Sequence, residues 1–109
     1  MELKQHNPMH PGEFIRRVYL APFGIGGNEL AVKLQVSPGA VSRLLAGKMN
    51  ISPAMALKLA KVLGRSPESW MIMQDNYDLW KAREEVDVNA LEAMVFPEAS
   101  DLSPATSPM

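Results

Sequence analysis

The chain of 109 residues contains no cysteine. That excludes a disulfide framework, a thiolate metal site and a cysteine nucleophile. No apolar run approaches the roughly 20 residues that a membrane-crossing helix needs. The opening MELKQHNPMHPGE lacks the charged-then-apolar pattern of a secretory signal, so the expectation is a soluble, cytoplasmic protein with no membrane partner. Acidic residues are missing from Leu30 to Pro67, and basic ones are missing after Arg83. Convincing strand alternation is missing too, with only 86–96 ambiguous. No glycine loop can cradle a phosphate, since Gly24, Gly26 and Gly27 simply follow Pro22 as a connector.

Catalysis finds no support among the residues that remain. His6 and His10 stand four apart, a spacing that binds a metal when both sit on one helix. Asn7, Pro8 and Pro11 argue against a continuous helix there, and no carboxylate motif accompanies the pair. Ser42 or Ser52 as a nucleophile would need a nearby histidine, and both histidines lie in the N-terminal arm. Glu84 and Glu85 are adjacent, so a helix aims them apart. No catalytic residue, no metal and no cofactor is expected.

What the chain does contain is helix punctuation. Ser-Pro pairs at 37–38, 52–53 and 66–67 each read as an N-cap followed by proline at the first helical position. Gly47 and Gly64 read as helix stops. His10 precedes an opening helix with Pro11 and Glu13 in its first turn, Phe14, Ile15, Val18 and Tyr19 on its apolar side, and Pro22 and Gly24 ending it. The helix after Ser52 runs through Met55, Leu59, Val62 and Leu63, and the one after Ser66 runs to about Arg83. The fold class is all-α. An N-terminal arm is expected over 1–9, one helical domain over 10–83, and an acidic, partly flexible tail over 84–109.

Residues 28–47, NELAVKLQVSPGAVSRLLAG, read as two short helices joined by a tight turn. Asn28 is the expected N-cap of the first, about 28–34, and Ser37 caps the second, about 38–46. Leu30, Ala31 and Leu34 line one face, Val36 plugs the turn into the core, and Val41, Leu44 and Leu45 point inward. Ala31 is small where the two axes would approach. Gly39, Ala40, Ser42 and Arg43 are left on or near the outer face. A hairpin of helices that only packs would show the same apolar pattern. The charge distribution favours a phosphate-binding role: Lys33, Arg43, Lys48, Lys58, Lys61 and Arg65 are unopposed by any acid over 30–67. Glu84, Glu85, Asp87, Glu92, Glu98 and Asp101 then make the end of the chain acidic.

This stretch resembles the helix-turn-helix of the lambda-repressor/Cro (XRE-like) family. The departure is Gln35, where that family often has glycine; a non-glycine residue there implies some backbone strain. His10-Pro11-Gly12-Glu13, Val41-Ser42-Arg43-Leu44-Leu45, Ile51-Ser52-Pro53-Ala54-Met55-Ala56, and Trp70 with Gln74, Tyr77, Asp78, Leu79 and Trp80 narrow the resemblance to the HigA-type antitoxins over about residues 7–83. The resemblance implies a compact five-helix lambda-repressor-like DNA-binding domain. It also implies a homodimer that neutralises a ribonuclease toxin of HigB type and represses its own operon.

For such a domain the second reader helix enters the major groove with its N-terminal half against base edges. Ser37, Pro38, Gly39 and Ala40 are small enough to permit close approach, and Ser42 can donate or accept. Arg43 is the long side chain on that face, able to fork onto guanine or to contact a phosphate. Lys48 reads as a phosphate contact, and backbone N–H groups around Gly27 and Asn28 as another. The helix of about 67–83 is the expected dimerisation element. Trp70, Met73, Gln74, Tyr77 and Trp80 repeat on one side, with Ile72 and Leu79 on another. Met73, Tyr77 and Trp80 are the candidate interface residues, although a core role is the simpler reading for Trp70 and Tyr77. Two rivals remain at this point: a stand-alone regulator without a toxin, and a module that binds only protein.

Overall fold

The computed structural model describes residues 7–97. His6 and the tail beyond Pro97 lie outside the described residues. Five α-helices and no strand occur among those described: α1 Pro11–Ile15, α2 Gly27–Leu34, α3 Pro38–Leu45, α4 Pro53–Leu63 and α5 Pro67–Glu85. The ambiguous stretch 86–96 holds only a single 3-10 turn, Val88–Ala90. Because α1 is continued by a wider π-helical turn over Arg16–Leu20 and a 3-10 turn over Ala21–Phe23, the opening helix does not keep one period. The changed phase buries Leu20 and leaves Val18, expected inside, 42% exposed.

The three Ser-Pro starts behave as their chemistry requires. Ser37, Ser52 and Ser66 each accept a hydrogen bond through Oγ from the backbone N–H three residues on, at 3.0, 3.1 and 3.0 Å. Each such cap contributes about 1 kcal/mol. Asn28 is different. The first reader helix starts one residue earlier than expected, at Gly27, with Gly26 in the cap position and no side-chain cap. Extended backbone at Gly26 lets the chain enter the helix before Asn28, which becomes a first-turn residue.

Both reader helices end in the same way. At α2 the Gln35 N–H donates to Val32 and the Val36 N–H to Ala31. At α3 the Gly47 N–H donates to Leu44 and the Lys48 N–H to Arg43. These paired bonds define the Schellman end, which needs a left-handed residue at its pivot. Gly47 (φ 76°) adopts that conformation readily, whereas Gln35 (φ 58°) carries a Cβ into it.

Trp70 is fully buried at the centre of the core, with Ile15, Leu44, Leu59 and Val41 among the other buried residues. Its indole N–H donates to the Gly64 carbonyl at 2.9 Å, so its one polar atom is satisfied. Phe14 and Tyr19 pack their rings 6.0 and 6.2 Å from it. Gln74 is buried to 2% exposure. Its Oε1 accepts from the Ile51 N–H at 2.8 Å, and its Nε2 donates to Asn50 and Asp78 at 3.1 and 3.0 Å. One side chain thereby ties the α3–α4 connection to α5.

Gly12 brings α1 onto the back of α3. A Cβ at Gly12 would stand 1.7 Å from the Leu44 carbonyl oxygen. Gly12→Ala must therefore push α1 away from α3 and is expected to destabilise by about 2–3 kcal/mol or more. Gln35→Gly relieves the left-handed strain and is expected to stabilise by up to about 1 kcal/mol, after the greater freedom of glycine in the unfolded chain is offset. Urea denaturation of the two variants checks both signs.

Candidate nucleic-acid interface

The outer face of α3 is open. Ser37, Pro38, Gly39, Ser42 and Arg43 are exposed and Ala40 is half-buried. Val41 and Leu44, on the opposite face, are 1% and 0% exposed, so the helix cannot roll to present another side. The Ser37 hydroxyl accepts from the Ala40 N–H, which places it in helix capping, and its proton and second lone pair remain free to meet a partner outside. A Cβ placed on Gly39 would lie 3.5 Å from Arg43 Nη1. The guanidinium thus arches back over Gly39 toward the N-terminal half of α3, the direction helical side chains favour. The absence of a side chain at Gly39 makes room for it.

A groove of about 580 Å³ runs between the start of α2 and α3, lined by Arg16, Gly26, Gly27, Asn28, Pro38 and Ser42, with Leu45 and Ala46 at its end. A Cβ on Gly27 would touch Leu45 and Val41 at 3.4 and 3.6 Å, which fixes the α2 N-terminus close against α3. The uncapped N–H groups of that end carry partial positive charge. The structure thus brings Asn28, Pro38 and Ser42 into one groove. Lys48 does not line it, and lies exposed just past the end of α3.

Arg16 is a member of this groove that the sequence reading passed over. Its neighbour Arg17 is paired with Glu13 at 2.9 Å, one helical turn away. That i,i+4 spacing was the available signal: it assigns Arg17 to the Glu13 face and turns Arg16 to a different one.

The basic run of 30–67 is not one patch. Arg65 stacks its guanidinium over Phe14 and Trp70, 5.2 and 5.7 Å from the ring centres, and so belongs to the edge of the core. Lys33 lies beside Val62 and Leu63 on the α4 side. Arg43 and Lys48 belong to the reader unit itself, and Arg16 joins them from outside the run.

On α5, Met73 is half-buried against the core, and Trp80 is half-buried. Tyr77 packs edge-on to His10 at 4.9 Å and 6.0 Å from Trp80. Among the described residues no group of three or more histidine and carboxylate side chains could hold a metal. His10 has a structural task instead. Its Nδ1 accepts from the Gly12 N–H at 2.9 Å, which assigns the ring proton to Nε2, a buried atom with no hydrogen-bond partner. The ring lies under Gly47, at the end of the reader helix.

Burial lowers the His10 pKa from its ordinary value, against the weaker opposing pull of Asp78 and Glu13. The folded state therefore binds this proton less readily than the unfolded chain. The His10 contribution is fully present above about pH 6.5 and is lost as pH falls through the lower folded value. Thermal unfolding between pH 7.5 and 5.5 is expected to show this loss, and His10→Asn, which keeps a cap acceptor without titrating, is expected to flatten it.

Comparison with known proteins agrees with this geometry. The helix-turn-helix family profile matches residues 24–70. The uncharacterised HTH-type transcriptional regulator YddM of Escherichia coli K12 is 36% identical over 93 residues, covering 85% of this chain and 98% of that protein. Antitoxin HigA-1 of Vibrio cholerae is 36% identical over 83 residues, covering 76% and 78%. The Pseudomonas aeruginosa antitoxin HigA, solved with the higBA promoter, superposes with a TM-score of 0.71 at 32% identity, covering 83% of this chain and 97% of that one. The matched family is not enzymatic. The chain belongs to the XRE-type helix-turn-helix family, in the group that includes the HigA antitoxins.

Proposed function

We propose that this protein is an operator-binding antitoxin that represses its own operon and neutralises a HigB-type ribonuclease toxin. The observation that carries the DNA half is the outer face of α3: small residues at its start, Arg43 arched over them, and an apolar back that fixes its orientation. A helix so held can lie in the major groove with Pro38, Gly39 and Ala40 against base edges and Arg43 forking onto guanine. Arg16, Lys48 and the α2 N-terminus, with Asn28 beside it, serve as phosphate contacts that set the register. One domain makes few contacts, so a palindromic operator calls for two copies joined through α5. The likeness to proteins named as antitoxins supports the toxin half.

A stand-alone regulator is the second reading, favoured by the likeness to YddM, a protein named only as a transcriptional regulator. Co-expression with the product of a neighbouring small basic reading frame separates the two: relief of growth arrest and a stable complex support the antitoxin, and neither result leaves the regulator.

Fluorescence anisotropy with the protein's own upstream DNA, at two salt concentrations and against scrambled DNA, tests the reader assignment. Arg43→Ala is expected to weaken specific binding by about 5- to 150-fold, equivalent to about 1–3 kcal/mol, with scrambled-DNA binding little changed. Arg16→Ala is expected to weaken both and to flatten the salt dependence by about one counterion. Unchanged specific binding by the folded Arg43 variant would sink the base-reading role.

A further inference from the structure

His10 sits where the reader helix is mounted. Its Nδ1 accepts from the Gly12 N–H at 2.9 Å, and Gly12 is the residue at which α1 meets the Leu44 carbonyl. The ring packs under the end of α3, where a Cβ on Gly47 would lie 3.7 Å from its Cγ. Tyr77 of α5 meets it edge-on at 4.9 Å. The imidazole also lines a cavity of about 370 Å³ with Glu13, Arg16, Tyr77 and Trp80. Arg16, Leu45 and Ala46 border both this cavity and the groove between α2 and α3. One thin wall thus separates a buried titratable ring from the surface that faces DNA.

A proton changes what this ring can do. Neutral His10 accepts through Nδ1; charged imidazole has two N–H donors and no acceptor. The Gly12 N–H would then face another donor, at the point of closest approach between α1 and α3. The charged groups around the ring divide in sign. Glu13 and Asp78 favour the cation. Arg16 opposes it from the same cavity, where Tyr77 is the other titratable neighbour. The arm brings Asn7 and Pro8 to the cavity, and the end of α3 brings Leu45, Ala46 and Gly47, none of which titrates. Asp78 already accepts from Gln74 Nε2 at 3.0 Å, and Gln74 holds the α3–α4 connection through Ile51. A charged His10 therefore competes for the carboxylate that supports this tie, while it loses the cap on α1.

We propose that His10 makes operator recognition sensitive to acid: protonation loosens the seat of α3 and releases the specific site. This rests on the operator-binding reading above and adds a control to it. Specific recognition needs α3 held at a fixed angle, whereas phosphate attraction does not, and an added positive charge favours it. Burial holds the His10 pKa below its ordinary value. Specific affinity is thus full above about pH 6.5 and falls as pH drops through the lower folded value.

Fluorescence anisotropy with the protein's own upstream DNA and with scrambled DNA, from about pH 7.5 to about pH 5.5, reads this as a ratio of affinities, with circular dichroism verifying the fold at each pH. The ratio is expected to fall about tenfold in the wild type, with scrambled-DNA binding unchanged or stronger. His10→Asn, which keeps a cap acceptor, is expected to hold the ratio constant, and His6→Asn to behave as the wild type. Asp78→Asn keeps an oxygen for Gln74 and removes the charge that favours the cation, so it is expected to move the fall to lower pH. The proton NMR titration of the His10 ring is expected to share its midpoint with the fall. A constant wild-type ratio, an unaltered fall in His10→Asn, or a fall that only accompanies unfolding would overturn the proposal while leaving operator binding intact. A ratio near one at every pH would overturn the operator reading itself.

Discussion

The approach of α1 to α3 at Gly12 is the contact on which the reader surface depends. The backbone of the opening helix lies directly against the Leu44 carbonyl, with no room for a side chain. This contact backs the second reader helix from behind. From the same turn, His10 caps α1 and lies under Gly47, and Glu13 holds Arg17. The His-Pro-Gly-Glu run is thus a structural device: a cap, a helix start, a point of close approach and an ion pair in four consecutive residues. Its effect on function is indirect. It fixes the angle at which α3 meets solvent, and it leaves Arg16 on the groove side.

A second constraint operates from the other end. Trp70 fills the centre of the core, and Gln74, one turn further along α5, binds the backbone of the α3–α4 connection. A buried amide is favourable only when its donors and acceptor are paired, and here the acceptor and the amide N–H₂ both have partners. The two residues make α5 the strut that sets where the reader unit ends. Because their side of α5 is spent on the core, Ile72 and Leu79 on the opposite side are left exposed.

The division of labour among the basic residues follows from the same packing. Arg65 balances on the rings of Phe14 and Trp70, and Lys33 lies alongside α4. Charge alone does not identify a phosphate contact; the direction in which a helix turns its side chain does. The groove between α2 and α3 gathers Arg16 from a helix that no helix-turn-helix pattern includes.

The sequence by itself determined the helices and the reader unit. Serine caps, first-turn prolines and glycine stops are local chemistry, acting within four residues of one another, and they place α3, α4 and α5 to within a residue or two of where they stand. The strain at Gln35 was legible for the same reason, since a left-handed pivot belongs to the turn itself. Asn28 was misassigned as a cap because two glycines before it let the helix start early, and glycine gives no positional signal of its own. The widened turn after α1, which exposes Val18, left no mark in the apolar spacing. Only the tertiary structure decided which side chains of a given type meet the same space. Arg16 joining the groove, Arg65 leaving the basic surface, Gln74 turning inward and Leu79 turning outward are all set by how whole helices pack. Those contacts link residues far apart in the chain, and their geometry is fixed by the filling of one shared core rather than by any local pattern.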